Sequence, residues 1–450
     1  MPAIAPTPSK EKILALIEEH RVQFVELWFT DITGIVKSIT VPSAKIGSII
    51  DRGTHFDGSS LDGFARVAES DMVLMPDLNT FTLLPWSSGE EQVSRLICTV
   101  YTPQGEPFIG DPRTVLIKAL KQAEQMGFAF KTGMELEFFL FNTDENGKPV
   151  TSSPHDQASY FDMSTEQAQI IRRRMLSTLD VLNIQVDSTH SEIGYGQHEI
   201  DLDYADALTS ADYVLTARIA LKTVAQQYKL HCTFMPRPVA ELPGSGMHTH
   251  QTLHDLQTGK NVFVDTGHEY GMSEQARYFL AGQLCHARAM CAILAPLVNS
   301  YKRLGTSFEA PAHITWAHIN RGALIRVPGV PPGMEDHTRL ELRCPDPASN
   351  PYLATAVMLI AGLDGIRNKM PLPEPLEETL LNQTRTRRRQ VEMLPNTLGE
   401  ALEALEQDDV IMGALGPYIS DRYLTVRRQE YAEYEQQITR WELDRYINRY

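Results

Sequence analysis

A chain of 450 residues, 42% hydrophobic and 22% charged, can bury a large core and is expected to divide into two or three domains. Its formal net charge of −16 works against a phosphate-backbone partner, so nucleic acid is not expected. No run reaches the ~18 apolar residues of a membrane span, and the opening MPAIAPTPSKEKILALIEEH mixes acids and bases where a secretory signal needs an apolar stretch, so a cytoplasmic protein without membrane contact is expected.

Residues 9 to 20 read as a short helix, and VQFVELWFTD and DITGIVKSITV as two strands about an Asp-Ile-Thr-Gly turn. THFDGSSLDGF, which contains Asp57, taken alone reads as a surface loop. Turn formers cluster in YTPQGEPFIGDPR before the amphipathic TVLIKALKQAEQMGF, which places a boundary near residue 108 between a small α+β unit (1–108) and a larger one (109–450). In the larger unit, strand-like pieces at 130–141, 183–188, 198–203, 230–235, 247–253, 313–318 and 338–343 are separated by helices. One helix opens with a capping box, Ser164-x-x-Gln167. This is a mixed α/β layout. After Thr397, which begins a Thr-x-x-Glu box with Glu400, the periodicity is helical to WELDRYINRY. The basic TRTRRRQ, residues 384 to 390, reads as a solvated loop. Cys98, Cys232, Cys285, Cys291 and Cys344 show neither metal-ligand nor redox spacing and are expected as small core residues.

GMELEFFLF, residues 133 to 141, has the character of a buried strand yet carries Glu135 and Glu137. Side chains two apart share a strand face. At an effective dielectric near 20 these two repel by roughly 2 to 3 kcal/mol at ~6 Å, so a positive partner is required. HSEIGYGQHEIDLDY adds Glu192 and Glu199, GSGMHTHQ puts His248 and His250 on one strand face, and RLELR alternates Arg339, Glu341 and Arg343 with Leu340 and Leu342. Converging faces of this kind suit hard divalent cations, Mg²⁺ or Mn²⁺, and a set dominated by glutamate disfavours zinc. Arg303, Arg321, Arg326, Arg339 and Arg343 fall close together in a segment that also holds Glu309, and planar guanidinium forks suit phosphate oxygens. With no Walker A pattern in the chain, a nucleotide's phosphates would be held by these arginines and the metals.

In order along the chain, FDGSS, SDMVLMPD, E-x-E-F-F-L-F, E-x6-E, GSGMH-x-H, NSYKRL-x4-EAP, NR-x4-R and RLELR-x-PDP-x-x-NPYL resemble glutamine synthetase of the bacterial class I type. The resemblance runs through essentially the whole sequence. It implies an α+β protein with a small N-terminal β-grasp-like domain and a large catalytic domain, whose curved antiparallel sheet forms a barrel with the neighbouring subunit in a homo-dodecamer of two six-membered rings. It implies ATP-dependent ligation of ammonia to glutamate through a γ-glutamyl phosphate, with two or more Mg²⁺ or Mn²⁺ per site. One metal would use Glu135, His248 and Glu341, and the other Glu137, Glu192 and Glu199. Arg321, Arg326 and Arg339 would serve ATP, and Arg321, Arg339 and Arg343 the transferring phosphoryl group. Arg303 and Gly244, with Arg321 and Arg343, would serve the amino acid. Asp57, reaching in from a neighbouring subunit as base, would form the ammonium pocket with Ser60, Tyr160 and Glu192, and Glu309 would close the flap and accept a proton.

Three positions depart from the family pattern. Pro243 stands where the family has an Asn that contacts the substrate, Gly305-Thr306-Ser307-Phe308 replaces the usual Val-Pro-Gly-Tyr of the flap, and Ser191 replaces the second His before Glu192. The first two lie on the amino-acid side and leave open weaker glutamate binding or an altered acid, while retention of Asp57, Ser60, Tyr160 and Glu192 favours ammonia over a bulky amine. The alternatives are a γ-glutamyl ligase using an organic amine or an altered acid and, beyond that, a catalytically silent relative. NQTRTRRR lacks the tyrosine that some relatives adenylylate, and Arg66 matches a position tied to glutamine feedback.

Overall fold

The computed structural model describes residues 7–59, 71–305, 310–378 and 391–450. Ser60, Arg66, Glu309, the flap residues Thr306 to Phe308 and the 384–390 segment lie outside the described residues.

Ser9 caps α1 (Lys10–Glu19) through Lys12 N, and β1 (Phe24–Thr30) and β2 (Val36–Pro42) follow as an antiparallel hairpin. Its turn is closed by the Asp31 carboxylate, which accepts from Thr33 N and Ile35 N at 2.9 and 3.0 Å. Gly34 has φ +87° there, and a Cβ would stand 2.9 Å from Asn350 Cα, so only glycine lets the hairpin approach the larger unit this closely. After α2 (Ile46–Arg52) come β3 (Thr54–Phe56), β4 (Met72–Pro76), β5 (Thr82–Leu83) and β6 (Val93–Tyr101). The sheet order is β2-β1-β6-β4-β3, with β5 also on β6 and a parallel β1–β6 pair at its centre. Period-2 alternation sends Leu27, Phe29, Leu96 and Cys98 into a small core with Ile13 and Ile46, and Trp28 and Ile97 into the main core.

The larger unit begins at α3 (Pro112–Gln125), where Asp111 caps Arg113 N and Thr114 N and Pro112 fits the first turn. Its spine is the sixteen-residue β7 (Phe128–Thr143). There follow β8 (Pro149–Pro154), α4 (Glu166–Val181), β9 (Val186–Ser191), β10 (Gln197–Leu202), β11 (Ala205–Asp206), α5 (Ala207–Gln227), β12 (Leu230–Thr233) and β13 (Thr249–Asp255). Next are α6 (Glu274–Cys285), α7 (Ala287–Leu294), α8 (Ser300–Arg303), β14 (Trp316–Ala317), β15 (Ile325–Arg326) and β16 (Leu340–Leu342). The remaining helices are α9 (Pro351–Asn368), α10 (Leu398–Glu406), α11 (Asp409–Glu435) and α12 (Arg440–Tyr446). The strands form one curled sheet, β14-β15-β16-β13-β7-β10-β9, with β8, β11 and β12 also paired to β7. Leu136, Phe138, Leu140 and Ile200 turn one sheet face into the helical core, where α3 and α5 pack on β7 and the nearly all-buried α9 lies behind them. The other face is left for polar chemistry. Among the described residues no helix is long and apolar enough to cross a membrane.

Two details differ from expectation. Thr165, not Ser164, caps α4 by accepting from Ala168 N, because Ser164 is drawn into side-chain bonds elsewhere. Four cysteines are buried as expected, but Cys285, at the last turn of α6, is exposed. Thr397 does cap α10 through Glu400 N.

Candidate active site

Strand register gathers the acidic residues. On β7 and β10, Glu137 lies opposite Glu199 and Glu135 opposite Asp201. Just before β13, Glu135 N donates to His248 O and Glu137 N to Gly246 O, at 3.0 and 3.2 Å. Within β13, His250 faces Gly133 of β7 on one side and Glu341 of β16 on the other. Four separated segments therefore point charged side chains to one sheet face.

Glu135, His248 and Glu341 each offer a ligand atom within 4.8 Å of the others. Nδ1 of His248 stands 2.8 Å from Glu135 Oε2 and 3.8 Å from Glu341 Oε1. Burial, with Arg343 nearby, lowers the His248 pKa to about 4, so the ring is neutral at pH 7 and keeps a lone pair for a metal. Burial opposes ionisation of Glu135, but hydrogen bonds from His248 and His250 outweigh it and hold its pKa below the usual carboxylate range. Arg339 Nε can only donate, so His250 Nδ1 accepts from it at 3.2 Å and Nε2 carries the hydrogen toward Glu135 Oε1 at 2.6 Å. Glu341 is 1% exposed and takes Arg326 Nε at 2.6 Å and Arg343 Nη1 at 2.5 Å.

A second group is His190, Glu192 and Glu199, and a third shares Glu135 and Glu199 with Asp201. His190 Nδ1 is 3.6 Å from Glu192 Oε1 and Nε2 is 3.8 Å from Glu199 Oε2. Glu137 sits beside this group and accepts from Gln197 Nε2 at 3.0 Å. Burial and the neighbouring Glu192 raise its pKa to about 8, and burial with Glu137 and Glu192 raises that of Glu199 well above the normal value. Buried carboxylates that cannot all ionise without a cation are the donor set a hard divalent ion fits. His190 and Asp201 were not among the ligands expected from sequence. Each lies two residues from an expected ligand, Glu192 and Glu199 respectively, but strand register is what brings it to the cluster.

Arg303, on α8, is buried, with Nη1 donating to Cys344 O and Pro345 O at 3.0 and 3.1 Å and Nη2 to Arg343 O at 3.0 Å. The chain passes it at Gly244 and Gly246, where an added Cβ would stand 2.8 Å from Arg303 Cγ and 2.4 Å from Nη2 respectively. Arg321 reaches Tyr160, its Nη1 3.5 Å from the phenolic oxygen. Beside the Glu135 cluster opens a cavity of about 450 Å³, lined by Glu135, Asp201, Tyr204, His250, His254 and Arg339 among others. Asp57 is not gathered in. It is exposed, and among the described residues its side chain pairs only with Ser59, whose N and Oγ donate to Oδ1 at 2.9 and 2.6 Å.

Comparison with known proteins agrees with this geometry. Residues 109–446 match the profile of the glutamine synthetase catalytic domain, and residues 21–103 that of the glutamine synthetase β-grasp domain. The chain belongs to the glutamine synthetase family. It is 42% identical to the glutamine synthetase of Clostridium saccharobutylicum over 445 residues, covering 98% of this chain and 99% of that one. It is 43% identical to the glutamine synthetase of Halobacterium salinarum over 448 residues, covering 99% and 98%. A solved structure described as a GmaS/ADP complex superposes with a TM-score of 0.86 at 32% identity, over 97% of this chain and 99% of that one. Apo GmaS gives 0.85 at the same identity and coverage. As a member of the glutamine synthetase family the chain is an enzyme, and that family works on small molecules with ATP and divalent metals. The β-grasp unit and the large unit with its curled sheet are the family's two domains.

Proposed function

We propose that this enzyme makes glutamine from glutamate and ammonia at the cost of ATP, with 1–108 and 109–450 as its two units. The observation that supports this best is the set of buried carboxylates on one sheet face, bordered by Arg326, Arg339 and Arg343. Glu135, His248 and Glu341 would hold one Mg²⁺ or Mn²⁺, and Glu192 and Glu199, with Glu137 and His190, the other. When bound, such ions neutralise the carboxylates and offset charge on phosphate oxygens.

The glutamate γ-carboxylate oxygen attacks the γ-phosphorus of ATP, and ADP leaves. Arg321, Arg339 and Arg343 offset charge on the phosphoryl group as it passes, while Arg321 and Arg326 hold the ATP phosphates. Arg303, next to Gly244, holds the amino acid's carboxylate. Ammonium binds among Tyr160, Ser60 and Glu192 and gives a proton to Asp57. Ammonia then attacks the acyl carbon, phosphate leaves, and Glu309 takes the remaining proton.

Among the described residues Asp57 pairs with Ser59 alone, and in this scheme it would serve the site of a neighbouring subunit. Phe161 and Ile319, adjacent in sequence to Tyr160 and near Arg321, expose apolar side chains at the site, and so do Ile438, Trp441 and Ile447 in the tail. These surfaces suit burial in an assembly, for which we propose two stacked hexameric rings.

A matrix of acids and amines with Mg²⁺-ATP, followed by phosphate release, tests the reading. Turnover with glutamate and ammonium is expected. Turnover with methylamine but not ammonium would support the second reading, an amine ligase, which the close superposition on GmaS favours. A non-glutamate acid requirement would trace to Pro243 and the flap.

A further inference from the structure

Ser191 ends β9 and immediately precedes Glu192, at the position where the family pattern leads one to expect a histidine. Its hydroxyl is buried and lies 2.6 Å from that of Ser164, also buried. Arg172, on α4, spans the two: Nη1 donates to Ser191 Oγ at 2.9 Å and Nη2 to Ser164 Oγ at 2.8 Å. A guanidinium only donates, so both oxygens accept from it, and one hydroxyl hydrogen closes the serine–serine contact. The three side chains form a closed ring that fits the planar fork of arginine.

A second link runs through the backbone. Ser191 O accepts from Phe161 N at 3.2 Å. Ser191 therefore grips the 155–164 loop twice, once at Phe161 and once at Ser164. Between β8 and this grip the loop carries Tyr160, whose ring packs 4.1 Å from Phe161 and edge-on to His190 at 5.5 Å. Phe161 has φ +59°, a left-handed conformation that an aromatic residue adopts only when its surroundings hold it there. The strain and the two links fall at one point, directly before Glu192.

We propose that Ser191, Ser164 and Arg172 are positioning residues that fix Tyr160 relative to Glu192 and thereby set the affinity for the amine substrate. The inference rests on the placement of the amine at Tyr160 and Glu192 proposed above. None of the three touches the amine. They act by holding the loop that carries one wall of the pocket against the strand end that carries the other. Small displacements at such a site are costly because binding depends on simultaneous contacts to both walls.

Ser191→Ala removes the hydroxyl without adding volume, and Arg172→Lys keeps the charge but cannot serve both oxygens from one planar fork. Each is expected to raise KM for the amine about tenfold, the scale of lost support behind a ligand-contacting side chain. KM for ATP and for the acid are expected to stay within about twofold, as for distant, uncoupled sites. A purely structural role would lower the melting temperature while leaving the three KM values in proportion, and that result overturns the proposal. Should Ser191→Ala fail to fold, Ser164→Ala and Arg172→Lys carry the test. Tyr160→Phe and Glu192→Gln separate the two layers. If they leave the amine KM unchanged, the amine does not bind there and the underlying reading fails. If they raise it while the ring variants do not, only the positioning role fails.

Discussion

Glu137 and Glu199 face each other across β7 and β10, both buried, and although Arg303 favours ionised Glu137, burial and the charge of Glu192 outweigh it. Two such carboxylates oppose folding unless a proton or a cation lies between them. A site assembled this way is less stable empty than loaded.

The first prediction concerns pH. Burial and Glu192 raise the Glu137 pKa to about 8, so between its unfolded value near 4.5 and about 8 the folded state binds more protons than the unfolded one. Stability of the metal-free enzyme therefore falls as pH rises through that window. Mn²⁺ or Mg²⁺, which binds the deprotonated carboxylates, should reverse the trend by stabilising most at the alkaline end. Melting temperatures at pH 5 to 8.5, with chelator and with each ion, check this. A metal-free melting temperature that climbs steadily toward pH 8 would contradict it.

Arg113 joins the two units. Its Nη2 donates to Asp77 Oδ2 at 2.8 Å and Asp212 Oδ2 at 2.9 Å, Nε to Asp212 Oδ1 at 3.2 Å and Nη1 to Thr99 Oγ1 at 3.1 Å, all buried or partly so. Tyr352 also donates to Asp212 Oδ1, at 2.6 Å. Arg113→Ala would leave Asp212 in the interior without its paired guanidinium, a loss of about 3–5 kcal/mol. Urea unfolding would show it as a lowered midpoint. A change below about 1 kcal/mol, the scale of an exposed pair, would mean that water replaces the guanidinium.

Much of this arrangement was readable in the sequence, because period-2 alternation and local turn chemistry act over a few residues. Glu135 and Glu137 could be placed on one face of one strand without knowing any partner. What stayed hidden depends on register between distant segments. His190 and Asp201 become ligand candidates only when β9 pairs with β10, and β10 with β7, in the observed register. Ser164 resembles a cap locally, but Ser191, far along the chain, offers it a better partner and the cap passes to Thr165. Cys285 reads as core by composition, yet the helix rotation that buries Leu284 and Gly282 turns it outward. Asp57 is expected from resemblance to reach a neighbouring subunit's site, and within its own chain it pairs, among the described residues, with Ser59.

His286 bridges α6 and the helices behind it, with Nδ1 2.7 Å from Asp408 Oδ2 and Nε2 3.2 Å from Asp364 Oδ2. Burial disfavours the imidazolium, but hydrogen bonds and charge from Asp408 and Asp364 outweigh it and raise the pKa. The stabilisation is present in full below the unfolded value near 6.5 and is lost as pH rises through the higher folded value. His286→Gln should therefore destabilise the protein more at pH 6 than at pH 8.5. Equal loss at both values would show that the ring contributes packing alone.

Gly246 is the tightest point beside Arg303. Its carbonyl accepts from Glu137 N, and a Cβ would lie 2.4 Å from Arg303 Nη2 and 3.1 Å from Glu137 Oε1. A surface arginine would swing aside at little cost. Arg303 is held by the carbonyls of Arg343, Cys344 and Pro345, so yielding means breaking bonds in the turn that follows β16. Gly246→Ala should thus displace the guanidinium proposed to hold the amino acid and crowd Glu137. The expected result is a KM for the acid raised about tenfold or more, since small misplacements at a binding group are amplified. Overpacking should add a stability loss of about 1–3 kcal/mol. KM for ATP should change little, because Arg326 and Arg339 approach from β15 and the start of β16, away from the added methyl. An unchanged acid KM alongside lowered stability would show that Arg303 is a structural arginine and that the carboxylate is held elsewhere.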